Sequence, residues 1–223
     1  MKWEIWDAIE LKLRESGIKV FAGLTDPELK RYVLEGLDFL YLDNAYFKRG
    51  SRSTNFRLIR RGFHLTRLLE RPTDRFEKWN VSVAPWRKSG LDVVVIPPSR
   101  YHVDIFGADA WLDQTLATLK QVTERPVRVK RDKNLPLAEY LRESWAVVTY
   151  GSAAGVEAAR MGVPVFAGPI CPSLPISAGS VEQIETPEYK ERGPWLASLT
   201  YANWALPELD RLNLKDYCYS CAS

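Results

Sequence analysis

Gly151-Ser152-Ala153 has the residue types for binding an anion, and Glu157 follows it on the same expected helix. The turn separates residues 145–149, rich in buried-strand types, from residues 153–161, which follow a helical pattern. A helix that starts at such a turn gathers free backbone N–H groups, and its small side chains let an anion such as a diphosphate come close. Glu157 lies one turn into the helix. Gly162 suits a left-handed helix cap, and Pro164 leads into a strand at 163–167. The same pattern also serves as a plain strand–turn–helix corner. Glu157 serves equally as a solvated partner of Arg160.

Three further groups belong to this chemistry. Asp43 follows a strand expected at 37–42, at the end where open α/β sheets hold ligands, and is the candidate general base. Asp43-Asn44 is equally suited to an Asx turn. Ser99 follows a strand expected at 91–96 and could donate to a phosphate. Arg128 and Lys130 alternate with Val127 and Val129, so one strand face is cationic, as a phosphate site or a charge-defended edge strand would be. Nine Lys and Arg residues fall in 48–75, among them Arg49, Arg52, Arg57, Arg60 and Arg61, with His64 nearby. Tyr46, Phe47, Phe56 and Phe63 lie among them. That mixture suits phosphate contacts and base stacking, and also an ordinary solvated basic surface.

These residues must be positioned by alternating strands and helices. A helix is expected at 3–16 with a face of Trp3, Ile5, Trp6, Ile9, Leu11 and Leu13, then a strand at 18–21 and a helix from Thr25 to about Gly36. Turn residues at 79–90 place a boundary there. Helix 109–120 and strand 126–130 follow in the second half, and a terminal apolar helix begins near Gly193. The expected fold is α/β, with two Rossmann-like halves at 1–88 and 89–193 and a C-terminal helix and tail at 194–223 packing across them.

Composition sets the outer bounds. The chain has 223 residues, 46% of them hydrophobic, which is enough for a real core and excludes a disordered tail. No apolar run of about 18 residues is present, and the first residues lack an apolar signal segment, so a cytoplasmic protein without membrane insertion is expected. Cys171, Cys218 and Cys221 make an odd set that fits a reducing compartment. Cys218 and Cys221 supply two of the four ligands of a structural zinc, and His64 and His102 have no ligand spacing, so no metal is expected. No Gly-x-Gly-x-x-Gly follows a strand, which argues against a dinucleotide cofactor.

The segment from the Val-rich strand through Gly151, Ser152, Ala153, Glu157, Gly162 and Pro164 resembles the C-terminal domain of GT-B glycosyltransferases, in their capsule-polysaccharide and Kdo-transferase branches. The resemblance covers residues 91–167. It implies that Gly151, Ser152 and Ala153 hold the phosphates of a nucleotide-sugar, that Glu157 binds the ribose, and that Arg128 and Lys130 neutralise the leaving nucleotide. A UDP-sugar would be the donor, and no cofactor is implied. The chain is short for the family and looks like compact bacteriophage-type members, some of which glycosylate hydroxymethylated pyrimidines in DNA. The expected activity is therefore sugar transfer to an acceptor hydroxyl, with DNA as a candidate acceptor and partner. The alternatives are a non-catalytic nucleic-acid-binding protein and a transferase acting on a lipid or surface glycan.

Overall fold

The computed structural model describes residues 2–14, 17–48, 53–131 and 135–211. In chain order the first elements are α1 (Lys2–Arg14), β1 (Lys19–Ala22), α2 (Leu29–Leu34), β2 (Phe39–Asn44), β3 (Asn55–Arg60) and α3 (Asp74–Trp79). Then come β4 (Asp92–Ile96), α4 (Arg100–Phe106), α5 (Trp111–Val122), β5 (Val127–Val129), α6 (Leu137–Tyr140) and β6 (Ser144–Thr149). The last are α7 (Ala154–Arg160), β7 (Val165–Ala167), α8 (Gly193–Ala202) and β8 (Asn203–Ala205).

The chain forms two compact α/β units, each with its own four-stranded sheet. The first takes Met1–Leu65, Leu69–Val81 and Leu196–Ser223; the second takes Thr66–Leu68 and Ser82–Trp195. The division falls at 81/82 rather than 88/89. The expected terminal helix is α8, and the division runs inside it, between Trp195 and Leu196. Beyond α8 the chain gives β8 to the first sheet rather than ending as a separate tail.

The first unit has the strand order β1-β2-β3-β8. β1 and β2 are parallel, joined through α2 as the sequence implies, but β2–β3 and β3–β8 are antiparallel. It is thus a mixed sheet with one strand–helix–strand unit, not a Rossmann-like half. β3 was expected as basic surface. Its Phe56 and Leu58 instead join Ile9, Leu13, Val20, Leu40 and Leu42 in a core against α1. Leu11, expected on the buried face of α1, is 69% exposed. Behind α8, the Arg75 guanidinium donates to the carbonyls of Thr200 at 3.1 Å and Asn203 at 2.7 Å and pairs with Glu208. The Thr200 carbonyl lies in the last turn of α8, which has no intrahelical donor left for it, so a cation suits the position.

The second unit follows the expected pattern more closely. All its strands are parallel, in the order β5-β4-β6-β7. Val93, Val95, Ala146, Val148 and Phe166 build its core with Leu119 of α5. Continuous β-branched runs are what a parallel strand buried on both faces requires. α7 ends as foreseen at Gly162, whose φ is +82°. The N–H of Gly162 donates to Ala159 O and that of Val163 to Ala158 O, which is the Schellman arrangement.

Candidate functional site

Numbering the strands of the second unit by sequence gives the order 2-1-3-4, so the connection from β4 turns to one side and that from β6 to the other. Open α/β sheets bind ligands in the crevice beyond the carboxyl ends of such a strand pair. Ile96 and Thr149 are register partners at the ends of β4 and β6. Pro97 to Ser99 and Tyr150 to Ala153 therefore leave the sheet side by side. Of the expected site residues, the structure brings Ser99, Gly151, Ser152 and Ala153 to this edge, with Glu157 on the helix that follows.

Their local bonds show what each has left to offer. Ser99 is the N-cap of α4, where its Oγ accepts the His102 N–H at 3.2 Å, and its hydroxyl proton remains to donate. Ser152 Oγ accepts the Ala154 N–H at 3.1 Å and likewise keeps its proton. The Ile170 side chain packs on Gly151, where a Cβ would lie 2.4 Å from Ile170 Cγ1 and push that side chain aside. Ile170 thus occupies the side of Gly151 that the sequence suggested was open for a close-lying diphosphate. Cys171 packs beside the same turn, its thiol donating to Ser152 O, and burial pushes its pKa up to about 12. Glu157 is half-buried and makes no hydrogen bond or salt bridge among the described residues, but its charge acts on Arg160, opposing the effect of burial on that guanidinium.

Arg128 does not join this edge, and Lys130, whose backbone N–H donates to Val95 O at 2.9 Å at the end of β5, turns its side chain to Leu135. Arg128 reaches back along the sheet, bonding Asp92 at the start of β4, Tyr140 O at 2.8 Å and Ser144 Oγ at 3.4 Å at the start of β6. Its head group lies at the opposite ends of the strands from the crevice. Lys130 Nζ bonds Leu135 O at 3.2 Å, and both cations lie over the Tyr140 ring. β5 is an edge strand, so these residues have the defended-edge role.

Within the basic cluster of the first unit Arg57 is buried, Arg60, Arg71 and Arg75 are half-buried, and Lys48 and Arg61 are exposed. Arg57 is 3% exposed and pairs with Asp43 at 2.5 Å, while also donating to Asn44 O at 2.8 Å and Phe63 O at 3.2 Å. Burial works against its charge, and the Asp43 carboxylate with the Tyr46 and Tyr41 hydroxyls outweighs this, holding the guanidinium above its ordinary pKa. Arg60 grips Asp38 through Nε at 2.8 Å and Nη2 at 2.5 Å, and Arg61 adds a contact at 3.1 Å. These bonds, Arg60 first and against burial, hold the Asp38 carboxyl below its usual range. His64 is buried, its Nδ1 3.2 Å from Tyr46 Oη. Phe47, Phe56, Phe63 and Tyr46 are buried too, so none of them is a surface for stacking a base. Arg49, Arg52, Cys218 and Cys221 lie outside the described residues.

Asp43 is a structural acceptor in this geometry. Its Oδ2 accepts from Arg57 Nη2 and from Tyr41 Oη at 3.2 Å, and its Oδ1 accepts from the Asn44 N–H at 2.6 Å and Asn44 Nδ2 at 3.1 Å. Four donors fill the roughly four lone-pair positions of a carboxylate, leaving none to take a substrate proton. Across the strands Asp43 faces Arg57, and Arg57 faces Asn203. Asn203 Oδ1 then accepts the backbone N–H groups of Tyr46 at 2.7 Å and Phe47 at 3.3 Å. The row of three ties the loop after β2 to the sheet.

Tyr150 and Trp111 also stand at the crevice, and residue types gave no signal for them. The available clue was position, since Tyr150 directly follows the expected strand. Among the described residues no group of three or more His, Cys, Asp or Glu could hold a metal ion. No helix among them is long and apolar enough to cross a membrane. No protein-family model matches the chain, and no curated protein matches it.

Proposed function

We propose that the chain is a nucleotide-sugar-dependent glycosyltransferase whose donor binds beyond the carboxyl ends of β4 and β6. The observation that carries this reading is the 2-1-3-4 strand order, which puts the switch point at the two turns that the sequence selected for phosphate chemistry. The hydroxyl protons of Ser99 and Ser152 and the N–H of Ala153 are the donors for the diphosphate, and Glu157, whose charge also acts on Arg160, accepts the ribose hydroxyls. In transfer, the acceptor oxygen bonds to the anomeric carbon as the bond to the phosphate oxygen breaks. The nucleoside diphosphate leaves with the electron pair, and the acceptor proton passes to a base. Donors fixed in place before reaction stabilise the charge that develops on the leaving group.

Arg128 and Lys130 have no part in this proposal, because their head groups are committed elsewhere. Asp43 is not its base, because its lone pairs are taken. The acceptor is a hydroxyl compound. DNA stays a candidate acceptor: Arg57 and His64 are engaged within the protein, whereas the Arg61 side chain is exposed beside Asp38 and Lys48 is exposed.

A thermal-shift series with nucleoside diphosphates and sugar nucleotides tests the reading. A ligand at a hundred times its Kd adds about 2.7 kcal/mol. For a chain of this size that raises Tm by roughly 5–10 °C. The expected result is such a rise with one nucleotide, UDP first among them, and its loss in Glu157→Ala. An unchanged Tm with every nucleotide would remove the donor site.

A further inference from the structure

Tyr150 is the first residue past β6. Thr149 is in register with Ile96 on β4 and Ala167 on β7, so Tyr150 stands level with Pro97 and Gly168. The side chain is 9% exposed, and its ring meets Trp111 edge to face with centroids 5.7 Å apart. The hydroxyl is not among the fully buried unpaired atoms, so it reaches the surface, and it has no partner among the described residues. Its backbone is fixed on both sides. A Cβ on Gly168 would lie 2.6 Å from Tyr150 O, and one on Gly151 would overlap Ile170.

Among the described residues four tyrosines, Tyr41, Tyr46, Tyr140 and Tyr201, spend their hydroxyls internally, whereas Tyr32, Tyr101 and Tyr189, like Tyr150, do not. Tyr41 donates to Asp43, Tyr140 to Val129 O and Tyr201 to Asp74, while Tyr46 accepts the Leu65 N–H. At position 150 a phenylalanine would satisfy the packing equally well. Burial raises the Tyr150 pKa above its ordinary value, so at neutral pH the phenol is protonated and able to donate. The polar groups left over at the same edge, the Ser99 and Ser152 hydroxyl protons, are donors too. A set of donors suits an oxyanion with several acceptor oxygens.

We infer that the Tyr150 hydroxyl is a ligand-contacting group that donates a hydrogen bond to a phosphate oxygen of the molecule bound at the ends of β4 and β6. This rests on the donor site proposed above for its location, and adds a contact from the strand end itself. The rigid seat of the ring makes Tyr150 a positioning contact for that phosphate.

Calorimetric titration of the full chain with inorganic pyrophosphate and with UDP tests it, using wild type, Tyr150→Phe and Glu157→Ala. Tyr150→Phe is expected to weaken whichever of the two binds by roughly tenfold or more, the scale of one hydrogen bond to a charged group. Its unfolding midpoint without ligand should stay at the wild-type value, because the hydroxyl makes no bond among the described residues. Glu157→Ala should weaken UDP and spare pyrophosphate, which has no ribose. Wild-type affinity in Tyr150→Phe overturns the inference while leaving the donor site standing if Glu157→Ala still weakens UDP. Pyrophosphate binding lost in Tyr150→Phe, with no preference for UDP, keeps the inference and removes the nucleotide reading. Failure of wild type to bind either probe overturns both.

Discussion

Arg57→Ala is expected to lose about 3–5 kcal/mol of stability, the usual cost of removing one partner from a buried ion pair. Total stabilities of natural domains run to about 5–15 kcal/mol, so this single change takes a large share of what holds the first unit together. The loss has three identifiable sources. Asp43 keeps its charge without its guanidinium. The carbonyls of Asn44 and Phe63 lose their donors. The ring faces of Tyr41 and Tyr46, 5.7 and 5.4 Å from the guanidinium carbon, lose the cation that packs against them. Arg57→Lys keeps a charge but not the planar fork that reaches three acceptors, and should recover only part of the loss. Urea unfolding followed by circular dichroism reads the effect. A folded Arg57→Ala with an unchanged midpoint would instead mark the residue as a surface cation.

Gly162→Ala should cost a similar amount, about 3–5 kcal/mol, for a different reason. The residue has φ +82°, which disfavours any side chain, and a Cβ would lie 2.0 Å from Pro85 O. The backbone of 84–87 would have to move away. It is fastened there by Ala84 N–H to Arg160 O at 2.8 Å and Arg87 N–H to Gly162 O at 2.7 Å. Gly107 provides the control. It is also left-handed, at φ +63°, but has open space around it. Gly107→Ala should lose only about 1 kcal/mol, the intrinsic cost of that backbone region. Equal losses at the two positions in thermal unfolding would contradict the steric account.

The two units differ in how much of them is written in local sequence. In the second, strands buried on both faces are short runs of Val, Ala and Ile, and turns carry Gly and Pro, so strand–helix alternation and the cap at Gly162 are legible from types alone. Strand order is not, because it depends on which side of the sheet each crossover takes. The switch point therefore emerges only in the fold. In the first unit β3 reads as surface because Arg57 and Arg60 lie in it, and residue type cannot separate a buried arginine from a solvated one. The partner that decides the matter, Asp43, is fourteen positions away and is matched to Arg57 by strand register. β8 is three residues long and pairs with a strand far back in the chain, which no local pattern signals. Arg128 shows a further limit. Alternation in β5 tells which face the side chain takes, but not that it lies along the sheet toward Asp92 and Ser144, away from the crevice.

The most direct test of the donor site is to titrate UDP into isotope-labelled full-length protein and follow each backbone amide by nuclear magnetic resonance. The account predicts shifts concentrated at residues 97–100 and 149–157, with the loop at 168–171 beside them and the strand starts near Asp92, Arg125 and Ser144 unmoved. Shifts confined to those strand starts, or no shift at saturating UDP, would contradict it.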